Sequence, residues 1–393
     1  MINVTCGTGS TGRICTDIAV ALENRGHNVK IAYGRDSVPD KYKKYAIRIG
    51  NDMDVKLHVL KARLVDGMGF GSRKATERFI EWVKKYNPDV IHLHNIHGYY
   101  INIEVLFKYL NSCKKRVIWT LHDCWSFTGH CAYFDYVGCN RWKNGCFCCP
   151  QKKEYPARIG IDQSKHNYRI KKKLFLHMEN MIFVTPSNWL ANLLKDSFLE
   201  KYPVQVINNG INTSLFKPTV SNIRKKYEIR DDVIVVLGVA SVWDKRKGLE
   251  DFEELAEILD ENYKIVLIGL TKMQIGQIPE AILGIERTES IQELVNWYST
   301  ADVFVNPTYE DNYPTTNVEA ISCGTPIVTY NTGGSSEIAH QFGGRVLDNK
   351  NARAIAEAID SVIMMKKEMR ISSGTNDITL MVSKYMDLYE NKV

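Results

Sequence analysis

Lys247, Glu310, Asp311 and Glu319 have the types and spacing to hold a sugar joined to a diphosphate. The segment Asn306-Pro307-Thr308-Tyr309-Glu310-Asp311-Asn312-Tyr313-Pro314-Thr315-Thr316-Asn317-Val318-Glu319-Ala320 runs from an apolar strand through a loop with two carboxylates into a helix that carries a third. Seven residues separate Asp311 from Glu319. That spacing puts one carboxylate at the loop mouth and the other on the helix, each able to accept hydrogen bonds from sugar hydroxyls. Acids there could also serve only as partners of the helix dipole. The basic run Trp243-Asp244-Lys245-Arg246-Lys247-Gly248-Leu249 follows another strand and opens a helix. Cations held at a helix N-terminus meet the charge of a diphosphate, although a Lys/Arg cluster at a turn is also ordinary solvated surface.

In the first half, Gly7-Thr8-Gly9-Ser10-Thr11-Gly12-Arg13 lies between a strand and a helix. Gly9 and Gly12 would let backbone approach a phosphate or sugar; tight strand-to-helix turns are glycine-rich for steric reasons too. No acidic residue follows where a dinucleotide-binding loop needs one on its second strand, which speaks against a nicotinamide site. Thr120-Leu121-His122-Asp123-Cys124-Trp125 ends a strand, where a ligand-facing side chain belongs in a parallel sheet. His92, His94 and His97 end another. Among the cysteines, Cys146 and Cys149 form a C-x2-C, and with Cys131 and Cys139 they could supply four thiolates to a tetrahedral structural zinc. Free buried thiols or a redox pair are the alternative. Thr332-Gly333-Gly334-Ser335-Ser336-Glu337 again joins a strand to a helix.

The elements that must position these residues alternate as strand and helix along almost the whole chain. Periodicity predicts strands at 2–6, 29–33, 89–94, 116–121, 181–185 and 204–207, with helices at 13–24, 72–85, 103–111, 165–179 and from Ser187. Residues 124–160 read as irregular. From about residue 214 the pattern restarts, with strands at 233–239, 264–268, 303–306 and 326–330 and helices at 249–261, 291–299, 316–322 and from Ala352. Parallel strands crossed by helices are the economical solution. The expected architecture is therefore α/β: two tandem doubly wound, Rossmann-like domains, 1–213 and 214–375, facing across a cleft. A last helix at 376–393 is expected to pack back on the first domain.

With the motifs in this order the chain resembles family 4 of the glycosyltransferases, retaining enzymes of the GT-B fold. The family signature is Glu-x7-Glu, then Ala and a small-Gly-x-Pro turn, matched here by Asp311-x7-Glu319-Ala320 and Cys323-Gly324-Thr325-Pro326. The resemblance implies that Glu319 contacts the donor ribose. It implies that Asp311 takes the place of the first glutamate, with Glu310 as its rival, and that Asn312, Tyr313, Pro314 and Thr315 approach the donor sugar and diphosphate. Lys247 corresponds to the family's phosphate lysine. Where the family has an arginine six residues earlier this chain has Ser241, so Arg246 is expected to substitute. His122 is implied as a donor-sugar contact, Gly333 and Gly334 as part of the diphosphate pocket, and His92, His94 and His97 as acceptor-side lining. No divalent metal is expected in catalysis.

Charge suggests the partner. Residues 1–205 carry 32 Lys and Arg against 18 Asp and Glu, a surplus of +14, whereas the remainder carries 19 against 27. A basic first half suits an anionic partner, and the stretch Arg169-Ile170-Lys171-Lys172-Lys173-Leu174-Phe175 fits docking on an anionic bilayer rather than a nucleic acid. With no membrane-spanning run and no signal-peptide pattern, the expected location is cytoplasmic, peripheral on the inner face of the membrane. The expected reaction is transfer from a UDP- or GDP-sugar to a lipid-linked saccharide in capsule, exopolysaccharide or lipopolysaccharide assembly. Competing readings are a UDP-sugar epimerase of the same fold and a catalytically silent nucleotide-sugar-binding partner.

Overall fold

The computed structural model describes residues 1–366 and 376–390, so the end of the expected last helix, 391–393, lies outside the described residues. The chain divides into two compact units, Met1–Asn208 with Val382–Val393, and Asn209–Met381.

The first unit holds helix α1 (Gly9–Asn24), strands β1 (Ile31–Tyr33) and β2 (Ala46–Arg48), helices α2 (Asp52–Val65) and α3 (Arg73–Tyr86), β3 (Val90–Leu93), α4 (Ile103–Cys113), β4 (Arg116–Thr120), α5 (Ser164–Phe175), β5 (Met181–Thr185), α6 (Asn188–Lys195) and β6 (Val204–Val206). β1 pairs with β2, and β3-β4-β5-β6 form a second parallel set. The strand expected at 2–6 shrinks to Ile2, which bridges Ala32 on one side and Leu93 on the other and so ties the two sets together. Polar side chains take the chain out of the ladder there: Asn3 Nδ2 donates to the carbonyl of Thr5 at 2.9 Å, and Thr5 Oγ1 to that of Thr8 at 2.7 Å. The core gathers on the strands, where Trp119 of β4 meets Phe107 of α4, Phe175 of α5 and Phe183 of β5.

Helix α5 corrects one expectation. Its aromatic and basic stretch is not a free docking face, because Phe175 is fully buried and Lys171 points inward. Lys171 Nζ donates to the carbonyls of Trp125 at 2.7 Å and Thr128 at 3.1 Å and sits over the Trp125 ring. Burial lowers its pKa to about 7. Only Arg169, Lys172 and Lys173 of that run stay exposed.

The second unit contains α7 (Ile223–Lys226), β7 (Ile234–Val239), α8 (Leu249–Ile258), β8 (Tyr263–Ile268), α9 (Lys272–Ile275), β9 (Ile282–Ile285), α10 (Ile291–Thr300), β10 (Val303–Asn306), α11 (Thr315–Ser322), β11 (Ile327–Tyr330), α12 (Ser335–Phe342), β12 (Gly344–Leu347) and α13 (Ala352–Lys366). Its sheet has the order β12-β11-β10-β7-β8-β9, parallel throughout. β7, β10 and β11 lie side by side in the middle, so the loops that leave their carboxyl ends share one edge. A final helix, α14 (Ile378–Tyr389), carries the chain into the first unit. There the Tyr385 hydroxyl meets Thr120 Oγ1 at 3.0 Å, and that of Tyr389 meets His92 Nδ1 at 2.7 Å.

Candidate active site

In the second unit the loops after β7 and β10 are bound to each other. Asp244 caps a single 3-10 turn at 245–247 by accepting from the Lys247 N–H at 3.0 Å, and that turn aims the basic side chains. Lys247 Nζ forms an ion pair with Asp311 Oδ2. Arg246 Nη1 donates to the carbonyl of Glu310 at 2.9 Å, while the Arg246 carbonyl accepts from the Tyr309 N–H at 2.8 Å. The guanidinium is thus committed to bracing the acidic loop, and Ser241 is exposed. Glu310 is buried, and the other Asp311 oxygen accepts from the Asn312 N–H at 2.9 Å. The structure therefore brings Lys247, Arg246, Glu310 and Asp311 together.

Gly248 makes that approach geometrically feasible. It has φ +73°, and a Cβ there would lie 2.4 Å from the carbonyl oxygen of Pro307. Gly248→Ala is expected to lose about 1–3 kcal/mol of stability from left-handed strain together with the clash. Urea denaturation would show it; an unshifted midpoint would mean that the two loops tolerate separation.

Glu319, in α11, is buried and accepts from the Tyr298 hydroxyl at 2.9 Å. Tyr313 is buried in the loop before α11, and Pro314 and Thr315 begin that helix without a side-chain cap. Gly333 adopts φ +52°, and Gly334 opens α12, likewise uncapped by a side chain. Beside them the Thr332 hydroxyl is buried without a hydrogen-bond partner among the described residues. Sequence reasoning missed the network behind these loops. Asn306 Nδ2 donates to Asn317 Oδ1 at 2.7 Å, Asn317 Nδ2 to Ser335 Oγ at 2.9 Å, and Ser335 Oγ lies 2.7 Å from Thr329 Oγ1. It fixes α11 and α12 on β10 and β11; the signal was two asparagines at positions where an apolar core is the default.

In the first unit, His122 follows β4, with its Nε2 3.0 Å from Nδ1 of His94. Burial lowers the His122 pKa to about 4 and holds His92 and His94 well below the usual histidine range, so all three are neutral at pH 7. His92 is occupied by Tyr389 and by Thr120, the latter at 2.8 Å. His97 Nε2 meets Asp123 Oδ2 at 2.8 Å and its Nδ1 meets the Tyr155 hydroxyl at 3.0 Å, a contact the sequence had not suggested. The glycine loop is shorter than expected, because α1 starts at Gly9. Gly9 has open space around it, whereas a Cβ on Gly12 would meet Thr5 Oγ1 at 2.5 Å, so Gly12 makes room for packing within its own unit. Cys131, Cys139, Cys146 and Cys149 line one small apolar pocket as free thiols. Among the described residues, no three His, Cys, Asp or Glu side chains are gathered as a metal-ligand set.

The family description "Glycosyltransferase Family 4" matches residues 11–215, more than half of the chain, and "Glycosyl transferases group 1" matches residues 219–376. The chain belongs to glycosyltransferase family 4. WcaC of Escherichia coli (strain K12), named as a glycosyl transferase of colanic acid biosynthesis, is 24% identical over 99% of this chain and 98% of its own. The N,N'-diacetylbacillosaminyl-diphospho-undecaprenol alpha-1,3-N-acetylgalactosaminyltransferase of Campylobacter jejuni subsp. jejuni serotype O:2 is 25% identical over 56% of this chain and 63% of its own. Among solved structures, Anabaena Alr3699/HepE in complex with UDP-glucose aligns with a TM-score of 0.66 at 14% identity, covering 99% of this chain and 98% of its own. That likeness shows the GT-B fold. The protein is accordingly a glycosyltransferase built from two Rossmann-like units.

Proposed function

We propose that this glycosyltransferase retains anomeric configuration and moves a sugar from a UDP- or GDP-sugar to a lipid-linked saccharide in surface polysaccharide assembly, working in the cytoplasm at the inner face of the membrane. The observation that carries the donor half is Lys247, held by Asp311 on the sheet edge from which α11 and α12 rise with uncapped N-termini. An anion suits such a place, and the buried Thr332 hydroxyl before α12, without a partner among the described residues, could donate to one. The UDP-glucose complex of a protein with this fold and the undecaprenol-linked substrate in a relative's name support the choice of donor and acceptor classes.

In this mechanism the second unit binds the nucleotide sugar. Glu319 accepts from the ribose, the loop of Glu310 and Asp311 orients the sugar, and Lys247 neutralises the departing diphosphate. The anomeric C–O bond to the diphosphate breaks while the acceptor hydroxyl attacks from the same face, and the hydroxyl proton passes to a diphosphate oxygen. His122, neutral at pH 7, can hydrogen-bond a sugar hydroxyl but not balance a phosphate.

Thermal unfolding with a panel of UDP- and GDP-sugars tests this reading. One donor is expected to raise Tm by several degrees, and Glu319→Gln to weaken its binding about 10- to 100-fold through loss of a charged hydrogen bond. NMR of the product linkage then reports retention. Inversion, or turnover of the donor to an epimer without any acceptor, would overturn the proposal.

A further inference from the structure

Helix α2 is apolar on two opposite faces. Val55, His58, Val59 and Ala62 face the core, where His58 Nε2 accepts from the N–H groups of Gly69 at 3.2 Å and Gly71 at 3.1 Å and locks the helix down. The face turned away from the core carries Met53, Leu57, Leu60 and Leu64, spaced to form one stripe and each 45–61% exposed. Beside its end lie Ile159 and Ile161, 79% and 62% exposed. They are placed there by the backbone: the N–H groups of Ile159 and Ile161 donate to the carbonyls of Arg63 at 2.9 Å and Leu64 at 3.0 Å, the last turn of α2. Gly160 between them permits the contact, since a Cβ would lie 1.8 Å from the Leu64 carbonyl oxygen. Single exposed leucines need no explanation, but six large aliphatic side chains in one patch do.

The charges around the patch select its occupant. On the α2 helical wheel Lys56 and Arg63 flank the stripe on one side and Lys61 on the other, all exposed and none in an ion pair among the described residues. The acids of the helix sit only in its first turn, where Asp52 pairs with Arg48, and Asp54 closes the capping box with Asn51 and lies 3.9 Å from Arg78. An aliphatic stripe bordered by basic side chains, in the half of the chain with a +14 surplus, is the composition of a helix lying in an anionic bilayer interface. The buried face of the same helix, opposite the patch, packs against the loops that follow β3 and β4. His58 packs edge-on against Tyr99, Tyr99 against Tyr155, and Tyr155 bonds His97, which bonds Asp123.

We propose that α2 and the Ile159-Gly160-Ile161 strap dock the first unit on an anionic lipid surface, with the aliphatic stripe in the acyl boundary and Lys56, Lys61 and Arg63 among the headgroups. This rests on the lipid-linked acceptor reading for its purpose but not for its measurement. Flotation of the full chain with vesicles of phosphatidylcholine alone, or mixed with phosphatidylglycerol, supplies the test. Wild-type protein is expected to bind the mixed vesicles and to lose binding as salt rises. Leu57→Glu with Leu60→Glu should cut binding more than tenfold. Leu57→Ser with Leu60→Ser should weaken it without adding charge. Lys56→Gln with Arg63→Gln should lower it roughly 20- to 30-fold at low salt, from ~1 kcal/mol per basic residue. UDP- and GDP-sugar binding, read by thermal shift, should be unchanged in every variant. Retained donor binding in a wild-type protein that ignores both vesicles sinks the docking surface and leaves the transferase reading intact; vesicle binding without any donor response does the reverse. Equal flotation of wild type and the leucine variants, or loss of a wild-type dimer in those variants, would also overturn the proposal by placing lipid binding elsewhere or assigning the patch to a second copy.

Discussion

Replacing Lys247 with alanine is expected to lower kcat/KM for sugar transfer about a hundred- to a thousandfold while leaving the fold nearly as stable as before. The rate effect follows from where charge develops. As the sugar leaves, negative charge grows on the diphosphate, and a preorganised cation stabilises that charge more than it stabilises the bound donor. Its neighbour cannot replace it, because Arg246 is held on the carbonyl of Glu310. The stability effect is limited because the Lys247–Asp311 pair, although mostly buried with its side chains 20% and 16% accessible, still reaches water, so the carboxylate left behind is not stranded in a dry interior. Asp311 would keep its bond from the Asn312 N–H. Lys247→Arg should recover part of the loss, and Asp311→Asn should free Lys247 while weakening donor-sugar selection. The measurement is steady-state kinetics beside urea denaturation of the same variants. Unchanged turnover in Lys247→Ala would remove the residue from the mechanism; a collapse of stability matching the loss of rate would make its role structural.

Much of this arrangement was legible in the sequence because the physics behind it is local. β5 and β10 fall on the predicted residues, and Ser187 accepts from the Leu190 N–H as the cap of α6, since apolar runs between turn residues and capping side chains act within a few positions. Lys247 and the acidic loop could be paired because each follows a buried strand of a parallel repeat. The missing pieces have a common cause in contacts distant along the chain. α2 was unread because Met53, Leu57, Leu60 and Leu64 on its outer face add to Val55, Val59 and Ala62 on its inner one, so apolar residues no longer mark a single side. β9 and β12 are short edge strands whose existence depends on β8 and β11 offering them a partner. In the candidate site, the roles of Asn306 and Asn317 depend on Thr329 and Ser335, which no spacing rule joins to them. Arg246 was expected to stand in for the family's arginine that Ser241 replaces; its tie to the Glu310 carbonyl appears only once the loop has folded.

Lowering the pH from 6.5 to 5 is expected to destabilise the first unit by several kcal/mol. Burial depresses the pKa of His58 and of His122 to about 4 in the folded chain, against ~6.5 when unfolded. Between those values the unfolded state binds the extra proton, so stability rises with pH and is lost as pH falls from about 6.5 toward 4. At ~1.4 kcal/mol per pH unit each, the two histidines together lose about 4 kcal/mol by pH 5. His92 and His94, held well below the usual range, act in the same direction. One group opposes them: burial raises the Asp17 pKa to about 6, so the folded state gains a proton there first, and this offsets part of the loss. The depressed carboxylates Asp123 and Asp162 contribute only nearer their own lower range. Against the roughly 5–15 kcal/mol of an ordinary domain, the net change is large enough to read. Urea midpoints at pH 7, 6 and 5, followed by protease cleavage sites assigned to each unit, should fall for the first unit. His58 explains why no substitution relieves the effect cheaply, because the same neutral Nε2 that cannot be protonated is the acceptor for Gly69 and Gly71. A midpoint in the first unit unchanged between pH 7 and 5 would mean that water reaches these rings and that they are not held neutral.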